Sequence, residues 1–245
     1  MSIVEHLTEL RRRLVISVLS VGLASILGFV FFEEIFGLFK EPYCDALRDL
    51  PNIAPPDALS GGGCKLYAGE VGAAFLIRIK VALFTGLAVA LPIVLYQLWR
   101  FVTPGLTKRE RRLTFPFVIA SVFLFAAGGW LAYVTLPKAL SFLLGFAGSD
   151  ITPLITIDKY VSFLILVIVA FGLSFEFPIL LIFLAAARVI TTAQLRSWRR
   201  YAYMGVVIAA AVITPSQDPY TMLGMAVPLV VFYELSILVA RLLKR

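Results

Sequence analysis

The sequence is poor in the residues that most enzymes depend on. Among 245 residues it has one histidine, His6, and two cysteines, Cys44 and Cys64. It contains no Gly-x-Ser-x-Gly, no His-Glu-x-x-His and no cysteine pair placed to bind zinc on a reducing face, so the familiar hydrolytic and metal sites have no residues to carry them. A protease with two acids sharing an intramembrane site is also excluded, because Glu176 is taken as the one acid deep in an apolar run. No cofactor is implied. Charge is scarce too: 15% of residues are charged against 60% hydrophobic, and the mean hydropathy is +0.94. That balance excludes a soluble domain and points to a polytopic membrane protein. No internal repeat is present, so the usual mark of a secondary transporter is missing. Polar groups along the apolar runs are too few to line a channel. The net charge of +7 does not imply nucleic acid, because the basic residues sit in short loops between apolar runs. The first apolar run ends in Glu33 and Glu34 without a small-residue cleavage site, so it is expected to stay as the first helix.

What is present is a series of apolar runs. They predict an all-α fold, a single integral membrane domain over 1–245 with six transmembrane helices at about 14–32, 81–99, 115–136, 161–187, 202–213 and 222–240. The fifth run is short: about a dozen residues give roughly 18 Å of helix against a hydrocarbon core of about 30 Å. It thins the bilayer, brings in flanking polar residues or shelters behind other helices; runs five and six are read as a short crossing hairpin turning at Thr214-Pro215-Ser216-Gln217-Asp218-Pro219, the alternative being a re-entrant pair that never crosses. Most of the 22 basic residues fall on one side of these runs, at Arg11 to Arg13, Arg100, Lys108 to Arg112, Arg188, Arg196 to Arg200 and the C-terminal end. The positive-inside rule makes that side, and both termini, cytoplasmic. The opposite loops are acidic.

The longest of those external loops, 33–80, opens with Ile35-Phe36-Gly37-Leu38-Phe39, a candidate interfacial helix. It also holds Cys44 and Cys64 around a Pro- and Gly-rich segment. On an oxidising face the pair is expected to form a disulfide, the alternative being two unpaired thiols. A second apolar stretch, 140–146, lies in the following external loop and is expected to cap the bundle.

Two groups of acids stand out. Glu176 interrupts the fourth run in Ser174-Phe175-Glu176-Phe177-Pro178. An ionised carboxylate at that depth costs on the order of 3 kcal/mol, so it should face a bundle or wet cavity. Pro178 lacks an N–H and crowds the carbonyl of Ser174, which predicts a kink. Glu176 serves either as a relay or partner contact, or as a protonated acid tying two helices together. On the cytoplasmic side, Glu9 and Glu110 lie among arginines. They either neutralise those neighbours or receive guanidinium groups from elsewhere, a geometry that favours arginine over lysine.

Several stretches are distinctive in their order and sidedness: Glu5-His6-Leu7 through Glu9-Leu10-Arg11, Pro42, Pro92 with Tyr96-Gln97-Leu98-Trp99, Phe101 with Pro104, Glu110-Arg111-Arg112, Ser174 through Pro178, and Thr214-Pro215 with Asp218. In these the chain resembles the TatC family, receptor subunits of the twin-arginine protein translocase, from residue 5 to about 241. The resemblance implies a glove-shaped, concave bundle in the cell inner membrane that binds twin-arginine signal peptides and helps move folded proteins using the proton-motive force. It implies that Glu9 and Glu110 receive the arginine pair, that Leu7, Arg11 and Phe101 shape that site, and that Glu176 beside Pro178 meets a partner helix or distorts the bilayer. Pro42 and Asp218 match external-loop positions. The implied partners are the single-span subunits TatA and TatB, with TatB along span five, further copies of the chain itself, and membrane lipid. Met222 stands where the family commonly has glutamine, and the cysteine pair is a local feature. The alternative reading is a proton-coupled small-solute transporter that uses Glu176 as its proton site.

Overall fold

The computed structural model describes residues 3–50, 64–102, 114–146, 154–214 and 218–243. Among them the regular elements are helices: α1 (Ile3–Val30), α2 (Phe32–Arg48), α3 (Ala73–Val102), α4 (Thr114–Gly145), α5 (Ile157–Ser174), α6 (Phe177–Ala186), α7 (Thr192–Ser197), α8 (Arg199–Ile213) and α9 (Pro219–Leu243). A single parallel bridge joins Tyr67 to Thr156. Five helical stretches are long and apolar enough to cross a membrane: Val4–Val30, Ala73–Phe101, Phe115–Gly145, Ile157–Ala186 and Pro219–Leu242. In hydrocarbon the backbone has no water to bond, so runs of this kind satisfy their N–H and C=O groups internally as helices. The chain is therefore an all-α, polytopic membrane protein. α8, which occupies the fifth run, has 15 residues, about 22 Å of helix and less than the roughly 30 Å hydrocarbon thickness.

Two boundaries differ from the sequence expectation. α3 begins at Ala73, and α4 continues through Pro137 to Gly145, so 140–146 is not part of a separate loop. Packing overrides the proline here: Leu136, Leu140 and Leu144 all belong to the main buried cluster with α2 and α5 residues. Losing one N–H does not outweigh that burial.

Close helix contacts depend on small residues. α1 packs chiefly on α3, where a Cβ on Gly28 would sit 2.8 Å from Thr85 Cβ and 2.9 Å from the Ala82 backbone, and one on Gly86 would meet the Val21 carbonyl and Ser25 N–H at 2.7 Å. Lipid tails are as apolar as leucine, so helices in membranes associate through this kind of close backbone approach. α4 and α5 do the same, with Gly128 against the Phe171 carbonyl and Gly172 against the Phe125 ring.

α2 packs chiefly on α4 and also on α3. Phe39, Tyr43, Cys44, Ala46 and Leu47 form its buried face, the spacing of an amphipathic helix. Pro42 falls inside α2 rather than in an open loop, and its missing N–H leaves the Leu38 carbonyl without a helical partner. The Tyr133 hydroxyl donates to that carbonyl at 2.9 Å, and Tyr160 donates to the Phe39 carbonyl at 2.7 Å. Tyr133→Phe keeps the ring and removes the donor. It should cost about 1 kcal/mol, read as a lowered unfolding midpoint in detergent; an unchanged midpoint would show that water serves the carbonyl equally well.

Cys44 on α2 and Cys64 are joined in a disulfide, with Cα atoms 5.8 Å apart and a sequence separation of 20. The bridge fastens α2 to the segment that pairs at Tyr67, whose carbonyl accepts the Ile157 N–H at 2.9 Å. Reduction should destabilise the protein by about 3 kcal/mol on the loop-entropy model. The check is thermal unfolding with and without reductant, and equal midpoints would remove the bridge from the stability account.

Candidate functional site

The first turns of α1 meet the last turn of α3 at the basic end of the bundle. Glu9 and Arg13 are one helical turn apart on α1, close enough to pair. Arg13 donates to Glu9 Oε1 through both Nε, at 3.1 Å, and Nη2. Its Nη1 reaches Gln97 Oε1 on α3 at 3.4 Å. One turn earlier, His6 stacks on Phe101 with ring centroids 4.4 Å apart. Glu9 Oε2 is buried and has no partner among the described residues. The site thus offers an ionised carboxylate with one oxygen committed and the other unspent, beside an aromatic platform.

Of the expected site residues, Glu9 and Phe101 come together here. Leu7 and Arg11 are exposed, Leu7 at 58%. Glu110 lies outside the described residues. Gln97 and Arg13 form part of the cluster although neither was selected as a site residue. The Glu9/Arg13 spacing of four was the available signal; the Gln97 contact spans 84 residues and has no local trace.

The second site is the break in the fourth span. α5 ends at Ser174 and α6 starts at Phe177, with Phe175 and Glu176 forming the turn. The cause is Pro178, which cannot donate to the Ser174 carbonyl. The ladder resumes at once, with the Leu180 N–H on the Glu176 carbonyl at 3.1 Å. Glu176 is half-buried, and its Oε1 is enclosed without a partner among the described residues. Beside it lies Ser121 of α4, fully buried, which accepts from Trp99 Nε1 at 2.9 Å. The break in the fourth span therefore meets α4 at Ser121, which α3 holds from behind through Trp99. The Pro178 carbonyl in turn accepts from Ser236 of α9 at 3.3 Å.

The family model described as Sec-independent protein translocase protein (TatC) matches residues 5–228. The chain belongs to the TatC family. It is 42% identical over 241 residues to the Sec-independent protein translocase protein TatC of Frankia casuarinae, covering 98% of this chain and 65% of the relative. It is 37% identical to the TatC of Aquifex aeolicus, covering 100% of this chain and 97% of the relative. So the chain spans about two thirds of the first relative and nearly all of the second. A crystal structure of the twin arginine translocase receptor TatC in DDM superposes with a TM-score of 0.73 at 38% identity, covering 95% of this chain and 98% of that one. Membership makes the chain a multi-pass membrane component of protein translocation rather than an enzyme. The small-solute transporter reading gains no support from these relatives.

Two further acids of this TatC-family chain need placing. Asp218, expected as an external-loop residue, is buried and heads α9, where its carboxylate accepts from the Thr221 N–H at 2.8 Å and the Thr221 hydroxyl at 2.6 Å. That is helix capping, with Pro219 at the first helical position. Met222 follows one turn on and packs against the main core. The expectation of a single acid within the spans is corrected by Glu234, which lies inside α9 and receives bonds from Arg199 and the Tyr203 hydroxyl of α8. Sequence reasoning passes over it and singles out Glu176 alone. Its signal was the one that marked Glu176: a lone carboxylate in an apolar run.

Proposed function

We propose that the chain is the receptor subunit of a twin-arginine translocase in the cell inner membrane, crossing it six times as a single domain over 1–245 with both termini in the cytoplasm. The basic end is then cytoplasmic, and the paired arginines of a signal peptide bind there to Glu9 and Glu110, with Leu7, Arg11 and Phe101 shaping the site. Glu176, at the Pro178 break, meets a membrane helix of a partner. TatA and TatB are those single-span partners, TatB along α8, and several copies of the chain assemble with them to pass folded cargo using the proton-motive force.

The observation that carries this reading is the state of Glu9. Its Oε1 is taken by Arg13, while its Oε2 is enclosed with no described partner, next to Gln97 and the His6–Phe101 stack. A carboxylate so placed can accept a charge-assisted bond from a second guanidinium. The test is photo-crosslinking of a twin-arginine signal peptide to the protein in membranes. Labelling is expected around residues 6–13 and 97–101 and should fall sharply in the Glu9→Ala, Glu110→Ala double variant. Undiminished labelling in that variant overturns the site.

A further inference from the structure

α8 is held by little. It packs chiefly on α9, and Val206 and Ala210 are its buried residues. At one end it stops at Thr214, which is buried. At the other, Arg199 and Tyr203, one turn apart on α8, both donate to the carboxylate of Glu234 on α9. A neighbouring bond fixes the start of this unit, from the Tyr233 hydroxyl to the Leu195 carbonyl of α7 at 2.7 Å. The side of α8 that faces α5 and α6 is open. There a cavity of about 630 Å³ is lined by Ala202, Gly205 and Ala209 of α8 and by Leu173, Ser174 and Phe177 across the gap. A Cβ at Gly205 would meet nothing within 4 Å.

We infer that Glu234 is a positioning residue: by gripping Arg199 and Tyr203 it fixes the tilt of α8 and so the width of the groove along which the single-span partner helix docks. The inference rests on the docking of that partner along α8 proposed above and adds the residue that sets the docking face. The physical basis is leverage. A helix too short to anchor itself by spanning, and packed through one face, takes its angle from its two ends. The charged fork at the Arg199 end is the stronger constraint, because bonds to ionised partners exceed neutral ones. Small side chains at Ala202, Gly205 and Ala209 allow a second backbone to approach only while that angle is kept.

The experiment places a photo-crosslinking residue at position 205 in the full chain, in membranes containing the partner subunits, and reads both partner crosslinking and export of a twin-arginine reporter. Glu234→Leu should reduce both about tenfold, the loss expected for charge-assisted bonds, while signal-peptide binding at Glu9 persists. Glu234→Gln, which keeps an acceptor for Tyr203, should recover part of both signals. The Arg199→Gln, Tyr203→Phe double variant should match Glu234→Leu, and combining all three should lower the signals no further. This pair of α8 variants decides the matter if Glu234→Leu fails to fold. Crosslinking left intact by Glu234→Leu, or losses that add across the two sides, overturn the inference alone. No crosslink from position 205 in the otherwise unaltered chain removes the docking reading and the inference with it.

Discussion

Gly86→Leu should strip α1 from the bundle and abolish signal-peptide binding together with it. A Cβ at residue 86 would lie 2.7 Å from both the Val21 carbonyl oxygen and the Ser25 amide nitrogen, and would overlap the Ser25 hydroxyl. Two of those three atoms are backbone, so no rotamer change relieves the clash and the helices must part. Overpacking of this kind costs about 1 to 3 kcal/mol for alanine, and leucine should exceed about 3 kcal/mol. α1 has no second large interface to hold it, since its main partner is α3 and Leu14, Val18, Leu19 and Leu23 are exposed. Once it leaves, Glu9, Arg13 and His6 lose Gln97 and Phe101. The measurements are folded yield in detergent, protease sensitivity of residues 3–30, and peptide binding. Gly22→Leu on the same helix is the control, because nothing lies within 4 Å of a Cβ there, and it should be silent. A stable, peptide-binding Gly86→Leu protein would refute the close seam between α1 and α3.

Glu9→Gln should weaken binding of a twin-arginine peptide by about 100-fold. Two effects act in the same direction. The amide loses the charge-assisted bond to the incoming guanidinium, worth about 1.5 to 3 kcal/mol. It also leaves Arg13, now facing a neutral partner, to repel the peptide's own arginines. Replacing the peptide's arginine pair with lysines should cost the unaltered protein at least about tenfold, because an ammonium cannot match a carboxylate through a planar fork. Against Glu9→Gln the same peptide exchange should matter less, as the carboxylate that distinguished the two is gone. Titration of labelled peptide into the purified protein reads all four combinations. Equal arginine-to-lysine ratios for both proteins would show that Glu9 does not contact the pair.

Much of this molecule is written locally. The 60% hydrophobic composition, the run lengths and the cost of burying charge determine an all-α membrane protein. They also mark Glu176 as an oddity and place a break next to Pro178, because each follows from a residue and its near neighbours in a medium without water. The Glu9/Arg13 pair belongs to the same class, being one turn of a single helix. The lengths of α3 and α4 were less legible, since Pro137 reads as a stop unless the buried leucines beyond it are known to pack.

Only the tertiary structure decided which faces meet. Arg13 on Gln97, His6 on Phe101, Tyr133 on the carbonyl freed by Pro42, and Glu234 between Arg199 and Tyr203 join residues from 31 to 95 positions apart. Apolar periodicity carries no information about these partners, because every lipid-facing surface is as apolar as every helix interface. What selects one interface over another is the close approach that glycines such as Gly28, Gly86 and Gly128 permit, and that complementarity exists only when two helices are side by side.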